Sequence, residues 1–238
     1  MGKLINSGLI CFWDFGKPEP LTSKSNFQYT LKPHGDIGFN EGRSICIEEG
    51  QYLSINRKDC PALNIYGKNA QVTVFAWIKR KPKSFVQCEA IAGMWDETRR
   101  KRQYCLFLNL RLFDSADQVC GHISSVGGAT PGEKWCIDAS IGNTPVALEE
   151  WTFVAFTYDA EYVKSYYNGK LDSRVLHNPY RYEGGIFDGE VGGSDFTVGA
   201  VHRLGEIGND FVGEIAKLAV YDRALSDEEI LEIFNLIE

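Results

Sequence analysis

The chain has 238 residues, of which 44% are hydrophobic, 24% charged and 13% aromatic, enough to build a core without metal or disulfide staples. Apolar residues spread along its whole length exclude an intrinsically disordered protein, and 24 glycines without a three-residue period exclude collagen. A net charge of -7 repels phosphate backbones and anionic lipid heads, which sets nucleic acid aside as a partner.

No apolar run approaches the ~20 residues that cross a bilayer, and the opening run, Met1 to Ser7, lacks a signal-peptide apolar region before Asp14 interrupts it. The expectation is a soluble chain without membrane insertion, cytoplasmic by default and extracellular if a leader has been removed. Oligomeric state is not legible.

Short β-rich runs broken by Gly, Asn, Asp and Pro repeat from one end to the other. In chain order the expected strands are Leu9–Phe15, Ser44–Ile47, Tyr52–Ile55, Val72–Lys79, Glu89–Met94, Gln103–Phe113 and Val119–Ser124. Lys134–Ala139, Trp151–Tyr158, Val163–Tyr167, Lys170–Val175, Phe196–Gly199 and Phe211–Tyr221 complete the set. About a dozen strands with almost no helix predict an all-β, two-sheet antiparallel sandwich. In the runs from Val72 and from Trp151 consecutive positions are apolar, so both faces of these strands need cover. Their second face is expected either under loops or as a semi-apolar platform for a ligand.

Asn168-Gly169 supplies the residues of a two-residue type I′ hairpin, whose central positions both need positive φ. After Leu225, Ser226 and Glu229 stand at capping-box spacing, and Ile230, Leu231, Phe234 and Ile237 recur at helical spacing, so a terminal helix docking on the sandwich is expected. No internal repeat, linker or low-complexity stretch interrupts the pattern, which predicts one domain over residues 1–238. The seven cysteines include no C-x-x-C pair, and Cys11, Cys46 and Cys105 lie inside apolar runs. Reduced thiols used as small hydrophobes are expected rather than a zinc site or a disulfide framework.

Four segments carry a resemblance. They are Gly8 to Phe15; Val72 to Ile78; Glu150 to Asp159 with Tyr166-Tyr167-Asn168-Gly169-Lys170; and Phe211-Val212-Gly213-Glu214-Ile215 with Tyr221-Asp222-Arg223-Ala224-Leu225-Ser226. Together the chain resembles the laminin-G-like branch of the concanavalin A-like lectin/glucanase superfamily. The aromatic strand before an Asn-Gly hairpin and the Arg-Ala-Leu-Ser leading into a capped helix are the specific features. The resemblance implies a jelly roll of two curved antiparallel sheets with the chain ends paired side by side in one of them. It also implies a range of roles: sugar-binding modules, glycosidases, adhesion domains and calcium-dependent ligand binders. Where many relatives carry an Asp after the Gly-x-Ile of the final strand, this chain has Ala216, so a role for that carboxylate does not carry over.

The glucanase signature, a strand with Glu-x-Asp-x-Glu or Glu-x-Asp-x-x-Glu, is not in the chain, and neither are G-x-S-x-G or a His-x-x-x-His pair. The most individual stretch runs from Met94 to Ser140. Sugar recognition needs an aromatic face against the C–H side of a pyranose, with charged or imidazole groups taking the hydroxyls. Trp95, Tyr104 and Trp135 are the candidate platforms, and Asp96, Arg102, His122 and Asp138 the candidate polar anchors. Arg99-Arg100-Lys101-Arg102 reads either as a solvated loop or as a clamp for an anionic sugar. Calcium, implied by the resemblance, would draw on Asp138, Asp188, Asp195, Asn209 and Asp210, although no EF-hand spacing supports it.

The expected function is therefore a non-catalytic domain binding a glycan or polysaccharide on a loop-rimmed concave sheet face. A glycoside hydrolase with paired carboxylates and a protein-interaction or adhesion domain are the alternatives.

Overall fold

The computed structural model describes residues 4–40 and 42–237, so Met1 to Lys3 of the opening run lie outside it. Strands β1 (Leu9–Asp14), β2 (Lys32–His34), β3 (Gly38–Asn40), β4 (Ser44–Ile47) and β5 (Tyr52–Ile55) come first, followed by single 3-10 turns at Arg57–Asp59 and Pro61–Leu63. The middle holds β6 (Val72–Arg80), β7 (Glu89–Met94), β8 (Tyr104–Leu108), β9 (Gln118–Ile123), β10 (Ala139–Pro145) and β11 (Trp151–Tyr158). Then come β12 (Tyr162–Tyr167), β13 (Lys170–Leu171), β14 (Tyr180–Arg181), β15 (Phe196–Val198), β16 (Val201–Arg203), β17 (Glu206–Gly208), β18 (Gly213–Tyr221) and helix α1 (Asp227–Ile237).

Among the described residues these strands form a nine-stranded sheet built around β11, β6 and β18, a seven-stranded sheet in the order β10-β9-β8-β7-β15-β5-β2, and the separate hairpin β16-β17. All the strand pairs are antiparallel, and β1 lies beside β18, so the first and last strands are neighbours as the resemblance implied. The two large sheets enclose one apolar layer, with Trp13, Leu53, Val74, Leu106, Phe156 and Phe196 fully buried in it. The sheets approach closely at Gly121, where an added Cβ would stand 2.6 Å from Phe156.

Local chemistry accounts for the connections. Asn168 and Gly169 have φ of 46° and 76°, the two positive values a type I′ turn requires. Ser226 and Glu229 cap α1 reciprocally: the Glu229 N–H donates to Ser226 Oγ at 3.2 Å and the Ser226 N–H to Glu229 Oε2 at 2.9 Å. Arg223 then grips the Glu229 carboxylate with both Nη atoms, at 2.8 and 2.7 Å, while its Nε donates to the Ser7 carbonyl, tying the chain ends together.

Several expected strands are shorter than the sequence suggested. The run from Gln103 gives strand only to Leu108, because Asn109, Arg111, Phe113 and Asp114 all take positive φ and turn the chain. Residues 134–138 are loop, with β10 starting at Ala139, and the run after the Asn-Gly turn is strand only over Lys170–Leu171. Ala216 sits at a bulge in β18, its carbonyl accepting the Phe15 N–H at 2.9 Å. All seven cysteines are free thiols, and burial pushes Cys60 and Cys120 up to about 12. Among the described residues no helix is long and apolar enough to cross a membrane.

The apolar second face of β6 and β11 is neither under loops nor an open platform, the two arrangements expected from the sequence. Helix α1 lies on it, placing Ile230 and Ile233 among Phe75, Phe153 and Tyr221, with Phe234 5.7 Å from the Trp77 ring. This corrects the idea of a ligand platform there. Because Ile233 is fully buried and Leu231 partly exposed, Ile233→Ala should cost about 2–4 kcal/mol of unfolding free energy and Leu231→Ala less than about 0.5 kcal/mol. Equal losses in urea titration would mean the helix does not seal that face.

Candidate functional site

With one sheet closed by α1, the opposite outer face is that of the seven-stranded sheet. Along β8 and β9, Cys105, Phe107, Cys120 and His122 turn outward, while Tyr104, Leu106 and Val119 turn into the layer between the sheets. Loops following β7, β8 and β9, and the β16-β17 hairpin, rise around these outward residues. The hairpin is docked by a bridge between Asp96 and His202 and by the Glu97 N–H donating to the His202 carbonyl at 2.8 Å. What remains is a hollow of about 250 Å³ over Trp95, Phe107 and His122, walled by Arg102, Trp135 and Arg203. A second depression of about 340 Å³ continues from it, sharing Glu97, Arg102 and Trp135. Their size is that of a small-molecule site.

Trp95, expected as a platform, is instead the floor. It is fully buried, its ring 4.3 Å from the His122 ring and 5.8 Å from that of Phe107, with the Arg102 guanidinium 5.9 Å from its centroid. Trp135 is 47% exposed and carries Lys134 Nζ 4.8 Å from its ring centroid, and it is the indole of the hollow that remains open to solvent. Tyr104 points the other way, into the inter-sheet core, where its hydroxyl donates to the Leu63 carbonyl at 2.8 Å.

The two aspartates proposed as anchors are bound internally and do not line the hollow. Asp96 accepts the Arg99 backbone N–H at 2.8 Å and Arg99 Nε at 2.6 Å, folding the basic loop over itself. Asp138 accepts the Thr130 hydroxyl at 2.6 Å and the Tyr180 hydroxyl at 3.2 Å, pinning the glycine-rich loop. Three further residues line the hollow: Glu97 and Arg203, which the sequence did not single out for sugar contact, and Asn209, which it offered only as a calcium ligand. Glu97 Oε1 accepts Trp95 Nε1 at 3.3 Å and Asn209 Nδ2 at 3.2 Å, and its Oε2 lies 3.8 Å from Arg102 Nη2 and 3.9 Å from Arg203 Nε. Its position two residues after Trp95 was the available signal; nothing in the sequence pointed to Arg203, and Asn209 stood out only as an oxygen-bearing loop residue.

The polar groups of this hollow are under-satisfied. His122 Nε2 pairs with the Cys136 carbonyl at 3.1 Å, but Nδ1 has no hydrogen-bond partner. The same holds for Arg102 Nε, Arg203 Nε and Asn209 Oδ1, so four of the nine orphaned buried polar atoms among the described residues belong to residues lining one cavity. Such groups are rare in native interiors because each leaves a desolvation cost uncompensated. Two are donors and two are acceptors when His122 carries its proton on Nε2.

Glu97 is the one carboxylate among the described residues lining either depression, whereas glycoside hydrolysis ordinarily needs two. No group of three or more His, Cys, Asp or Glu among the described residues is placed to hold a metal ion. The side chains considered for calcium are dispersed: Asp195 accepts the Arg57 N–H at 2.8 Å, Asp188 the Glu190 N–H at 2.9 Å, and Asp138 is engaged as above. They do not fit one calcium cage. Arg57 is a buried strut, donating to Gln103 Oε1 at 2.7 Å and to the Ser194 carbonyl at 3.3 Å.

Burial, aided by the Arg102 charge, lowers the His122 pKa from 6.5 to about 3, so the imidazole is neutral at ordinary pH. The unfolded chain binds the proton first as pH falls, so this group's contribution to stability is complete above about 6.5 and is lost progressively toward about 3. The slope reaches about 1.4 kcal/mol per pH unit. Relative to His122→Gln, the protein should therefore lose stability on acidification across that window, measured by urea unfolding at successive pH values; parallel curves would contradict this placement of His122.

Comparison with known proteins agrees with this architecture. Domain 4 of AbnA, a GH43 extracellular arabinanase from Geobacillus stearothermophilus, solved with arabinotriose, is similar at a TM-score of 0.61 and 16% identity, covering 96% of this chain and 99% of that one. The botulinum neurotoxin serotype D ligand binding domain in complex with N-acetylneuraminic acid is similar at a TM-score of 0.62 and 14% identity, covering 98% of this chain and 52% of that one. The chain thus spans about half the length of the neurotoxin chains it matches. At these identities the likeness is one of fold. No curated protein matches the chain. A family model described as the concanavalin A-like lectin/glucanases superfamily matches residues 49–231, from the loop before β5 into α1, and the chain belongs to that superfamily.

Proposed function

We propose that the protein is a carbohydrate-binding domain whose ligand lies in the hollow on the outer face of the seven-stranded sheet, stacked on Trp135 and hydrogen-bonded over the Trp95 floor. The observation that carries this reading is that four unpartnered buried polar atoms belong to residues lining one aromatic-walled cavity. A sugar hydroxyl both donates and accepts, so a polyhydroxylated ring suits a lining that combines the donors of Arg102 and Arg203 with the acceptors of His122 and Asn209, directly or through an ordered water. A purely apolar ligand would leave them orphaned. The single carboxylate, Glu97, already receives hydrogen bonds from Trp95 and Asn209, which supports binding over hydrolysis.

The comparisons support the same reading from outside the chain, since one similar domain was solved with arabinotriose and another with N-acetylneuraminic acid. With half its surface accessible, Trp135 can be removed without disturbing the core. Trp135→Ala should weaken oligosaccharide binding at least tenfold, about 1.4 kcal/mol, while leaving the melting temperature nearly unchanged. Undiminished binding on a glycan array or in calorimetry would contradict the proposal.

A further inference from the structure

The chain carries a net charge of -7, yet the two joined depressions reverse that sign. Arg102, Arg111 and Arg203 line the first, Arg100 and Lys134 line the second, and Glu97 is the carboxylate both share. Among the described residues Arg100, Arg111 and Lys134 form no ion pair. Glu97 does not neutralise the others fully. Its Oε1 is occupied by Trp95 and Asn209, and its Oε2 stands between two guanidiniums at 3.8 and 3.9 Å, outside hydrogen-bond reach of either. The Nε atoms of both guanidiniums have no hydrogen-bond partner, and Arg102 is more than nine-tenths buried.

From this geometry we infer that the site selects acidic saccharides, its cationic wall taking a carboxylate or sulfate borne by the sugar that stacks on Trp135. The inference rests on the glycan reading above and adds the charge class of the ligand. Guanidinium is the group best shaped for such oxyanions, offering planar N–H donors to two oxygens at once. An oxyanion near Arg102 and Arg203 supplies the acceptors that Glu97 is too distant to provide. A neutral sugar would leave the surplus positive charge of the half-enclosed wall uncompensated. The excess of cations here, in a chain of net charge -7, also raises the local potential on this face, favouring the approach of anionic ligands.

The test is an array of neutral, uronate-bearing, sialylated and sulfated oligosaccharides probed with the full chain. Titrations then compare the strongest acidic ligand with its methyl ester or desulfated form. Acidic members should bind at least tenfold tighter than their neutralised counterparts at low ionic strength, and the ratio should fall toward one in 1 M salt, where charge is screened within about 3 Å. Whether the uronate, sialylated or sulfated members dominate identifies the anionic group. Arg203→Gln and Lys134→Gln should each reduce the ratio severalfold, with thermal melting confirming that both variants fold; Lys134 is exposed, so its variant keeps the test open if Arg203→Gln is unstable. Equal binding of charged and neutralised forms, or a preference indifferent to salt, overturns this inference while leaving the glycan reading intact. Silence from every class overturns both.

Discussion

A two-sheet sandwich must dispose of two outer faces, and in this chain the C-terminal helix is available to seal only one. Phe75, Trp77 and Phe153 project from the nine-stranded sheet as an apolar strip that would be costly in water, and α1 covers it with Ile230, Ile233 and Phe234. The capping box and the Arg223 clamp on Glu229 hold the helix there, and Arg223 also reaches Ser7 at the other end of the chain. Among the described residues the seven-stranded sheet has no such helix over it. Its outward Phe107, Cys105 and Cys120 are covered from the side by loops and a hairpin, which leave a hollow between them.

That difference explains the character of the hollow. Its floor is protein core: Trp95 and His122 are packed against each other with the imidazole kept neutral by burial. Burial likewise keeps the neighbouring Cys88 and Cys136 thiols protonated, pushing them up to about 12 and about 11. The walls are the loops' own polar groups, and these cannot all pair because they come from separate segments whose backbone is fixed elsewhere: Arg102 by its N–H to Gly127, Asn209 by its carbonyl to the Ala90 N–H. Each unpaired group leaves a desolvation cost that the rest of the frame must carry.

The fold was legible because its signals are local. Asn168-Gly169, the Ser226–Glu229 pair and the consecutive apolar runs at β6 and β11 each state their conformation within a few residues. The direction of Tyr104 was not, since on β8 both alternating sets, Tyr104-Leu106-Leu108 and Cys105-Phe107, are apolar, and period-two reasoning cannot say which faces the core. The region of the hollow was legible insofar as Trp95, Arg102, His122 and Trp135, named from the sequence, all line it. Asp96 and Asp138 were misleading because a short carboxylate beside a tight loop serves the backbone and neighbouring hydroxyls as readily as a ligand. Arg203 and Asn209 stand more than a hundred residues from Trp95 and arrive only through the β16-β17 hairpin, a tertiary event no spacing announces.

The most direct measurement of the central claim uses the five tryptophans, Trp13, Trp77, Trp95, Trp135 and Trp151, as reporters of the two faces. In a heteronuclear NMR titration with the oligosaccharide that binds best, the indole N–H signals of Trp135 and Trp95 should move together, while those of Trp77 beneath α1, Trp13 in the inter-sheet layer and Trp151 beside Arg43 stay fixed. Movement confined to Trp77 or Trp151, with Trp135 and Trp95 unaffected, would place recognition on the helix-covered sheet and contradict the account.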